Sequence, residues 1–468
     1  MEVANKPDRL ADPAAKADHL CVLVHGLWGN PSHMNTIATA LRKQHDESQL
    51  HIIAAECNNG NLTYDGIEVC GERLANEIEE TLDKSKADGQ KIKKLSVVGY
   101  SLGGLISRYA LGLLYARGRM DDLEPVNFTT FATPHLGARA PVRGAANLLF
   151  NGLGARTVSS SGRQMFLTDT FRDTGKPLLS VLADPDNIFI EALKRFRCRS
   201  VYGNVVNDRT TPFYTTIFSG IDHFPDLENM NINYCEGYES VIIDPDVYTL
   251  PSLQREKLSF LPRTWQGIRR FFKKLPFWLL FTLILLIALP IFLVYAVIQT
   301  FRSQQRIRVH EEGAGGLSPR YRVPVAVKRV QTAMDELFEN AAARQEPDYI
   351  SSATVSDLES QPRSSSQTQT PDDLSTTKPS AENSNEADGK KITKSTSKTS
   401  SGEKRPTLAL TPDQFAMIKS LDAVGFRKYP VYIHHHRHTH AAIVVRVDKP
   451  GFEEGHVVIK HWLDQFRL

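Results

Sequence analysis

One short stretch constrains the fold of this chain more than any other. The apolar run Leu95–Val98 has the length of a buried strand and leads into a G-x-S-x-G pattern at residues 99–103. Apolar residues at helical spacing follow it, from Leu105 onward. A serine in such a strand–turn–helix is held in a strained conformation that lifts its hydroxyl clear of the backbone. The pattern therefore predicts Ser101 as a nucleophile at the carboxyl end of a sheet strand.

A second glycine-rich turn points to the same chemistry. His19–Val24 is predicted to be a strand, and the pattern HG-x-x-G follows it at residues 25–29. Such a loop supplies a backbone N–H that stabilises the oxyanion formed in acyl transfer. Leu102, the first residue of the helix after the serine, supplies the other N–H. The amides of Leu27 and Leu102 are therefore the predicted oxyanion hole.

A nucleophilic serine also needs a carboxylate that orients its base. Asp208 is the candidate acid, because it directly follows a strand predicted at Arg197–Tyr202. Asp222 is the alternative acid. His135 lies in the loop after another predicted strand, Val126–Ala132, and is a candidate for the pocket wall, with a structural role, since it precedes the acid in the chain.

Three histidines are candidates for the base. His440 is preferred because it directly precedes an apolar run predicted to be a strand, and His438 and His223 are the alternatives. The histidine-rich segment 434–440 contains no carboxylate or cysteine, so neither a metal nor any other cofactor is expected. The predicted catalytic set is Ser101, Asp208 and one of these histidines.

Composition narrows the function classes. The 468 residues include 56 basic and 53 acidic side chains, and this balance does not favour nucleic acid as a partner. The five cysteines are scattered and odd in number, which indicates reduced thiols in a protein that faces the cytosol. Residues 1–17 lack the apolar core of a signal peptide and are expected to be disordered. The sequence does not indicate whether the chain is a monomer or an oligomer.

An uncharged run predicts contact with a membrane. Leu275–Ile298 spans 24 residues, or ~36 Å as a helix, and a basic amphipathic stretch precedes it at Arg263–Lys274. Arginines 302, 306 and 308 follow it, which places both ends on the cytoplasmic side. A simple span would separate Ser101 from His440. We therefore expect a re-entrant hairpin or in-plane anchor that bends at Pro290.

The whole chain divides into six predicted segments. They are a disordered N-terminus (1–17), a catalytic core (18–255) with a cap near 138–196, the basic helix and anchor (256–310, with the apolar part at 275–298), a helical segment (311–345), a disordered Ser/Thr-rich linker (346–406) and a C-terminal segment (407–468). The last segment is predicted to complete the core with strands at Tyr429–Ile433, Ala441–Val447 and Gly455–Trp462 and to supply the catalytic histidine.

Taken together, these blocks resemble the fungal serine esterase and lipase family of the α/β-hydrolase superfamily, and more narrowly its lipid-droplet phospholipase group. The matching blocks are residues 25–29, 64–67, 99–104, 133–137, 204–212 and 429–446. Relatives often carry Asp-Pro-Phe where this chain has Asp222-His223-Phe224, which weakens His223 as the base.

The resemblance implies both a fold and an activity. The expected fold is α/β, with a mostly parallel central sheet that carries helices on both faces and is interrupted by the anchor and the linker. The expected activity is hydrolysis of acyl esters in glycerophospholipids, at a lipid droplet or the endoplasmic reticulum membrane, with the catalytic domain facing the cytosol. A monoacylglycerol or triacylglycerol lipase is the alternative enzyme, and a catalytically inactive membrane tether is the alternative of another class.

Overall fold

A six-stranded parallel sheet forms the centre of the molecule. The computed structural model describes residues 17–139, 141, 159–208, 210–250, 291, 294–310, 349–350 and 405–468. The sheet strands are β1 (His19–Val24), β2 (Leu50–Ala54), β3 (Lys94–Tyr100), β4 (Glu124–Phe131), β5 (Cys198–Asn204) and β8 (Arg427–Val431). Their order is β2-β1-β3-β4-β5-β8, and every neighbouring pair is parallel.

Helices cover both faces of this sheet. They are α1 (Asn35–Gln44), α2 (Ile67–Ala87), α3 (Leu102–Ala116), α4 (Ser159–Met165), α5 (Leu178–Leu182), α6 (Ile188–Lys194), α7 (Phe213–Thr216), α8 (294–310), α9 (Pro412–Val424), α10 (Thr439–Ala442) and α11 (Glu453–Gln465). Two 3-10 turns, Pro31–Met34 and Gly60–Asp65, precede α1 and α2. Strands β6 (Tyr349–Ile350) and β7 (Thr407–Leu408) form a separate antiparallel pair.

The side-chain alternation of β1 shows why the sheet is covered on both sides. Leu20 and Val22 belong to the core shared with α2, α3, α6 and α9, whereas Cys21 and Leu23 belong to the core shared with α1, α10 and α11. All four side chains are fully buried. Since successive side chains of a strand point to opposite faces, both faces of the sheet are covered. The expected α/β-hydrolase architecture is therefore confirmed.

The strand order also fixes where a site can form. The chain runs from β1 to β2 on one side and then returns to place β3 on the other side of β1. A crevice opens at such a switch point, outside the carboxyl ends of the two strands. The loop after β1 carries Leu27 and the turn after β3 carries Ser101, so both glycine-rich motifs lie at this crevice.

The C-terminal prediction was wrong in two of its three strands. Only β8 joins the sheet, while α10 and turns replace the strand predicted at Ala441–Val447, and α11 replaces the one predicted at Gly455–Trp462. A short buried apolar run does not distinguish strand from helix. In α11 the buried residues include Gly455, Val458, Ile459 and Trp462, which is helical spacing.

The predicted anchor and linker lie mostly outside the described residues, as do residues 1–16 and the helix predicted within 311–345. Among the residues that the structure describes, no helix has both the length and the apolar character to cross a membrane. The part of the anchor that is described, α8, packs against the hydrolase core. The linker prediction was wrong at its start, because β6 pairs with β7.

Candidate active site

Ser101 lies in a strained turn between β3 and α3. Its φ and ψ are +54° and −128°, a conformation that L-residues rarely adopt. The turn requires glycine on both sides. A Cβ on Gly99 would lie 2.4 Å from the Cα of Gly104, and a Cβ on Gly103 would lie 2.3 Å from the carbonyl oxygen of Val24. The backbone packing of β3, α3 and β1 therefore lifts the serine hydroxyl into the crevice.

The loop after β1 interlocks with this turn. A Cβ on Gly26 would lie 2.6 Å from the Cβ of Ser101, so only glycine allows the approach. Leu27 lines the same pocket as Ser101, and Leu102 is the first residue of α3, where a helical N–H has no intrahelical acceptor. The structure thus brings the two predicted oxyanion residues to either side of the serine.

His440 lies between the serine and an aspartate. Its Nε2 is 3.0 Å from Ser101 Oγ, and its Nδ1 is 3.0 Å from Asp208 Oδ2. The backbone of His440 is fixed as well, because the hydroxyl of Tyr100 donates to its carbonyl oxygen at 3.1 Å. With Nδ1–H facing the carboxylate, Nε2 is the acceptor for the serine proton. These are the distances that a nucleophile, a base and its orienting acid require.

Asp208 is buried and ionised. It accepts hydrogen bonds from Asn204 Nδ2 at 2.9 Å and from the amide of Thr211 at 2.9 Å. Burial by itself would raise its pKa, but the attraction and hydrogen bond of His440 and these further bonds hold the pKa below its ordinary value. The carboxylate is therefore charged at neutral pH and available to stabilise an imidazolium on His440.

The first half of the chain is similar to known proteins. Residues 14–221 match a family described as "Putative serine esterase (DUF676)". This part of the chain, which is less than half of its length, is similar to that family. The matched segment includes Ser101 and Asp208 but ends before His440, which the parallel sheet returns to the site through β8.

Curated fungal proteins are similar over the same part of the chain. "Putative lipase ROG1" of Saccharomyces cerevisiae is 32% identical over 236 residues, which are 49% of this chain and 33% of that protein. "Putative lipase C4A8.10" of Schizosaccharomyces pombe is 27% identical over 208 residues, or 43% of this chain and 26% of that protein. The matches thus span about a third or less of the length of these relatives.

Solved structures are similar only in part. A cutinase of Trichoderma reesei is 20% identical, with a TM-score of 0.20 over 26% of this chain and 55% of its own. A mutant of the rice cell-wall-degrading esterase LipA of Xanthomonas oryzae is 13% identical, with a TM-score of 0.26 over 43% of this chain and 70% of its own. The fold assignment therefore depends on the sheet order and the serine turn described above.

The alternative site residues lie elsewhere. The ring nitrogens of His223 contact Ser219 and Arg405 at 3.1 and 3.0 Å, and burial lowers its pKa to about 4. His438 stands at the N-terminal end of α10, with its ring beside that of His436. Asp222 accepts a hydrogen bond from the hydroxyl of Tyr349 at 2.8 Å. None of these contacts involves Ser101.

His135 is buried below the pocket and does not line it. Its Nε2 is 2.9 Å from Thr130 Oγ1 and its Nδ1 is 3.4 Å from the guanidinium of Arg108. Burial, reinforced by the Arg108 charge, lowers the pKa of His135 well below its ordinary range. The pocket-wall prediction was wrong, because the turn buries the ring and leaves Pro134 at the pocket instead.

Two histidines at the start of the histidine-rich segment contact the same carboxylate. Glu454 accepts from the backbone amides of His434 and His435, at 2.7 and 2.9 Å, and lies 3.0 Å from His434 Nδ1. Within the described residues, no group of three or more histidine, cysteine, aspartate or glutamate side chains is placed to hold a metal ion. These contacts hold the loop that presents His440.

The pocket is lined mainly by apolar groups and contains one arginine. Its lining residues are Leu27, Trp28, Tyr100, Ser101, Pro134, Ala138, Met165, Phe166, Thr210, Thr211, His440 and Arg446. Among the described residues of the predicted cap, Ala138, Met165 and Phe166 line the pocket. Helix α6 packs on α3 instead, with Phe189 in the space that the missing Cβ of Gly112 leaves. Sequence reasoning missed Thr211, whose hydroxyl is 3.0 Å from His440 Nδ1, and also Arg446.

Proposed function

We propose that this protein is a serine lipase that hydrolyses acyl ester bonds of glycerophospholipids at a lipid surface. The observation that carries the proposal is the position of His440, 3.0 Å from both Ser101 Oγ and Asp208 Oδ2, beside a largely apolar pocket. An apolar pocket accepts an acyl chain, and the three side chains provide what acyl transfer requires.

Each group of the site has a role in the proposed reaction. Ser101 Oγ attacks the acyl carbonyl while His440 Nε2 accepts its proton, and the amides of Leu27 and Leu102 donate to the oxyanion. The tetrahedral intermediate collapses as His440 returns the proton to the leaving alcohol. Water then attacks the acyl-serine with the same base, which releases the fatty acid and restores Ser101. Asp208 holds the imidazole and stabilises its charged form.

Arg446 supports a phospholipid substrate over a neutral glyceride. Arg446 lines this largely apolar pocket, and its guanidinium group matches the geometry of a phosphate diester. A triacylglycerol offers no anion to this arginine. The apolar lining alone would suit either lipid, so the charge of Arg446 is the feature that favours the phospholipid.

The proposed location is a lipid droplet or the endoplasmic reticulum membrane, with the catalytic domain facing the cytosol. The uncharged run Leu275–Ile298 and the five free thiols support it. Helix α8, into which this run continues, is held against the core by the contact of Arg306 with Asp65. A glycosylation acceptor inserted after Arg302 should remain unmodified; glycosylation there would exclude this topology.

The test compares purified full-length protein with a Ser101→Ala variant. A fluorophosphonate probe should label the wild type alone, and the variant should lose roughly 10⁴–10⁶ in turnover of phosphatidylcholine in mixed micelles. Labelling or hydrolysis that persists in the variant would exclude Ser101 as the nucleophile. A wild type that neither reacts with the probe nor hydrolyses any ester would favour the alternative function, a catalytically inactive membrane tether.

Arg446→Gln separates the two lipase classes in the same assay. It should reduce kcat/KM for phosphatidylcholine about tenfold more than kcat/KM for a triacylglycerol emulsion, because only the phospholipid loses an ion pair. Lys449→Gln, which changes an exposed lysine nearby in sequence, is the control. Equal effects of Arg446→Gln on both lipids would favour the neutral-lipid lipase.

A further inference from the structure

Helix α8 buries Gln299, Ser303 and Arg306 and exposes several apolar side chains. The exposed side is formed by Val294, Val297, Ile298 and Phe301, and Phe301 is 65% exposed. Ile291, one turn earlier, is also helical and equally exposed. A surface helix of a globular protein normally shows the opposite distribution. An apolar face of this size calls for an occupant.

A buried ion pair holds the polar side of α8 against the core. Arg306 Nε and Nη2 donate to both carboxylate oxygens of Asp65, at distances from 2.6 to 3.1 Å, and Nη2 also donates to the carbonyl oxygen of Asn61 at 3.0 Å. The Asp65 side chain has no exposed surface. Asp65 belongs to the Tyr64–Ile67 block, and its second partner is Arg73 at 2.8 Å. Arg306, one of the basic residues that follow the apolar run in the sequence, is therefore buried in an ion pair.

Two further contacts fix the rotation of α8. The Tyr295 hydroxyl is 3.1 Å from Asn61 Nδ2, and its ring packs beside Trp28 and Tyr64. At the other end, His310 Nε2 is 2.7 Å from Glu72 Oε2. Because the helix is held along one side at three points, its apolar side must face away from the protein.

The same 3-10 turn that holds α8 also holds the loop of the active site. The amide of Trp28 donates to Thr63 Oγ1 at 3.0 Å, and the amide of Gly60 donates to the carbonyl oxygen of Gly29 at 2.7 Å. Trp28 lines the pocket together with Leu27. The turn Gly60–Asp65 thus joins the apolar helix to the edge of the pocket.

The pattern along α8 matches a lipid surface in particular. The exposed face is apolar up to Phe301 and continues the uncharged run that precedes it. It then becomes polar and basic, with Arg302 and Arg308 exposed, and Arg308 lies ~10 Å beyond Phe301 along the axis. Hydrocarbon beside the apolar turns and anionic phosphate beside the arginines would satisfy both parts.

We infer that the apolar face of α8 inserts into a phospholipid surface, and that the Asp65–Arg306 pair positions it so that the pocket opens at that surface. Lipid would then reach Ser101 directly from the layer, past Trp28 and Leu27. The coupling to hydrolysis rests on the proposed function, whereas the contact between α8 and lipid does not.

The experiment measures two rates for the full-length protein: hydrolysis of phosphatidylcholine in vesicles that also contain phosphatidylserine, and hydrolysis of a soluble short-chain ester. The ratio of the vesicle rate to the soluble rate should fall about tenfold or more in Val297→Asp/Phe301→Asp, because charge opposes insertion. The matched control Val247→Asp/Leu250→Asp changes exposed apolar residues outside α8 and should keep the ratio near that of the wild type.

Arg306→Gln tests the positioning role. It should lower the same ratio about tenfold while the fraction of protein bound to vesicles stays constant, and Arg306→Lys should restore part of it. Arg427→Gln is the control, because Arg427 forms an exposed ion pair with Asp246. Equal loss of both rates in the α8 variants would overturn the inference, since the helix would then only support the fold. An unchanged ratio would also overturn it.

A photoactivatable benzoylphenylalanine at position 301 makes the contact testable without any activity. Cross-links to vesicle phospholipid support the inference, whereas cross-links to another segment of the chain or to a second copy overturn it. If the wild type hydrolyses neither ester but position 301 cross-links lipid, the proposed function fails and the lipid contact remains.

Discussion

The serine end and the histidine end of the site are held by different kinds of contact. At the serine end, backbones touch: glycines 26, 99 and 103 each lie where a Cβ would come within 2.6 Å of a neighbouring atom. At the histidine end, distant side chains meet: Tyr100, Asp208 and Thr211 each form a hydrogen bond to His440. Steric interlock therefore fixes the nucleophile, and a hydrogen-bond network fixes the base.

The two kinds of contact predict different responses to substitution at the two ends of the site. A steric interlock tolerates no added carbon, so a small change there disturbs the fold and the chemistry together. A hydrogen-bond network loses one contact at a time, and each contact contributes modestly unless it carries charge. Three substitutions, taken from the largest expected effect to the smallest, examine this contrast.

Gly103→Ala should have the largest effect. The added carbon would meet the carbonyl oxygen of Val24, which cannot move without displacing β1. We expect a loss of about 1–3 kcal/mol in unfolding free energy and almost complete loss of ester hydrolysis. Thermal unfolding and hydrolysis of a soluble ester measure both. At Gly237 no atom lies within 4 Å of an added carbon and only its φ of +81° opposes alanine, so Gly237→Ala should lose about 1 kcal/mol with activity retained.

Asp208→Asn should leave the fold intact and reduce kcat by roughly 10³–10⁴, because the amide cannot stabilise a charged His440. The folded-state pKa of Asp208 lies below its ordinary value, so its charge stabilises the fold above about pH 4. That contribution is lost as the pH falls through the lowered folded-state pKa. Melting temperatures of the two proteins from pH 7 to pH 3 should therefore differ by a constant amount until the acidic end. A loss of activity below tenfold would contradict the role of Asp208.

Tyr100→Phe should have the smallest effect. It removes the hydroxyl that donates to the carbonyl of His440 but keeps the ring, whose centroid lies 5.2 Å from the imidazole centroid. One neutral hydrogen bond is worth about 0.5–1.5 kcal/mol, so kcat/KM should fall about tenfold at most. Hydrolysis of the soluble ester by the variant and the wild type measures this change in kcat/KM. A loss as large as that of Asp208→Asn would mean that this bond alone holds the histidine loop.

The fold was largely predictable because its signals are local. Strands β1 to β3 contain short apolar runs, and α9 begins at a capping box formed by Thr411 and Gln414. The same local reasoning failed near the C-terminus. In α11 the apolar residues Val458, Ile459 and Trp462 follow helical spacing, but their β-branched and aromatic character suggested a strand.

Charge was harder to interpret than hydrophobicity. Arg306 stands among exposed arginines after an apolar run, and sequence alone gives it the same role as Arg302 and Arg308. Its burial depends on Asp65, a residue 241 positions away that the chain brings under α8. A carboxylate partner offsets much of the free-energy cost of burying an arginine, so Asp65 decides the role of Arg306.

The sequence by itself determined the serine turn, the oxyanion loop and the parallel sheet, because glycine spacing and apolar runs act on neighbouring residues. Only the tertiary structure decided that His440 rather than His438 or His223 faces Ser101, that Arg446 reaches the pocket, and that α8 turns its apolar side outward. Each of these depends on segments that are far apart in the chain and meet only when β8 joins the sheet or α8 reaches Asp65. Contacts between such distant segments produce no periodic pattern in the sequence.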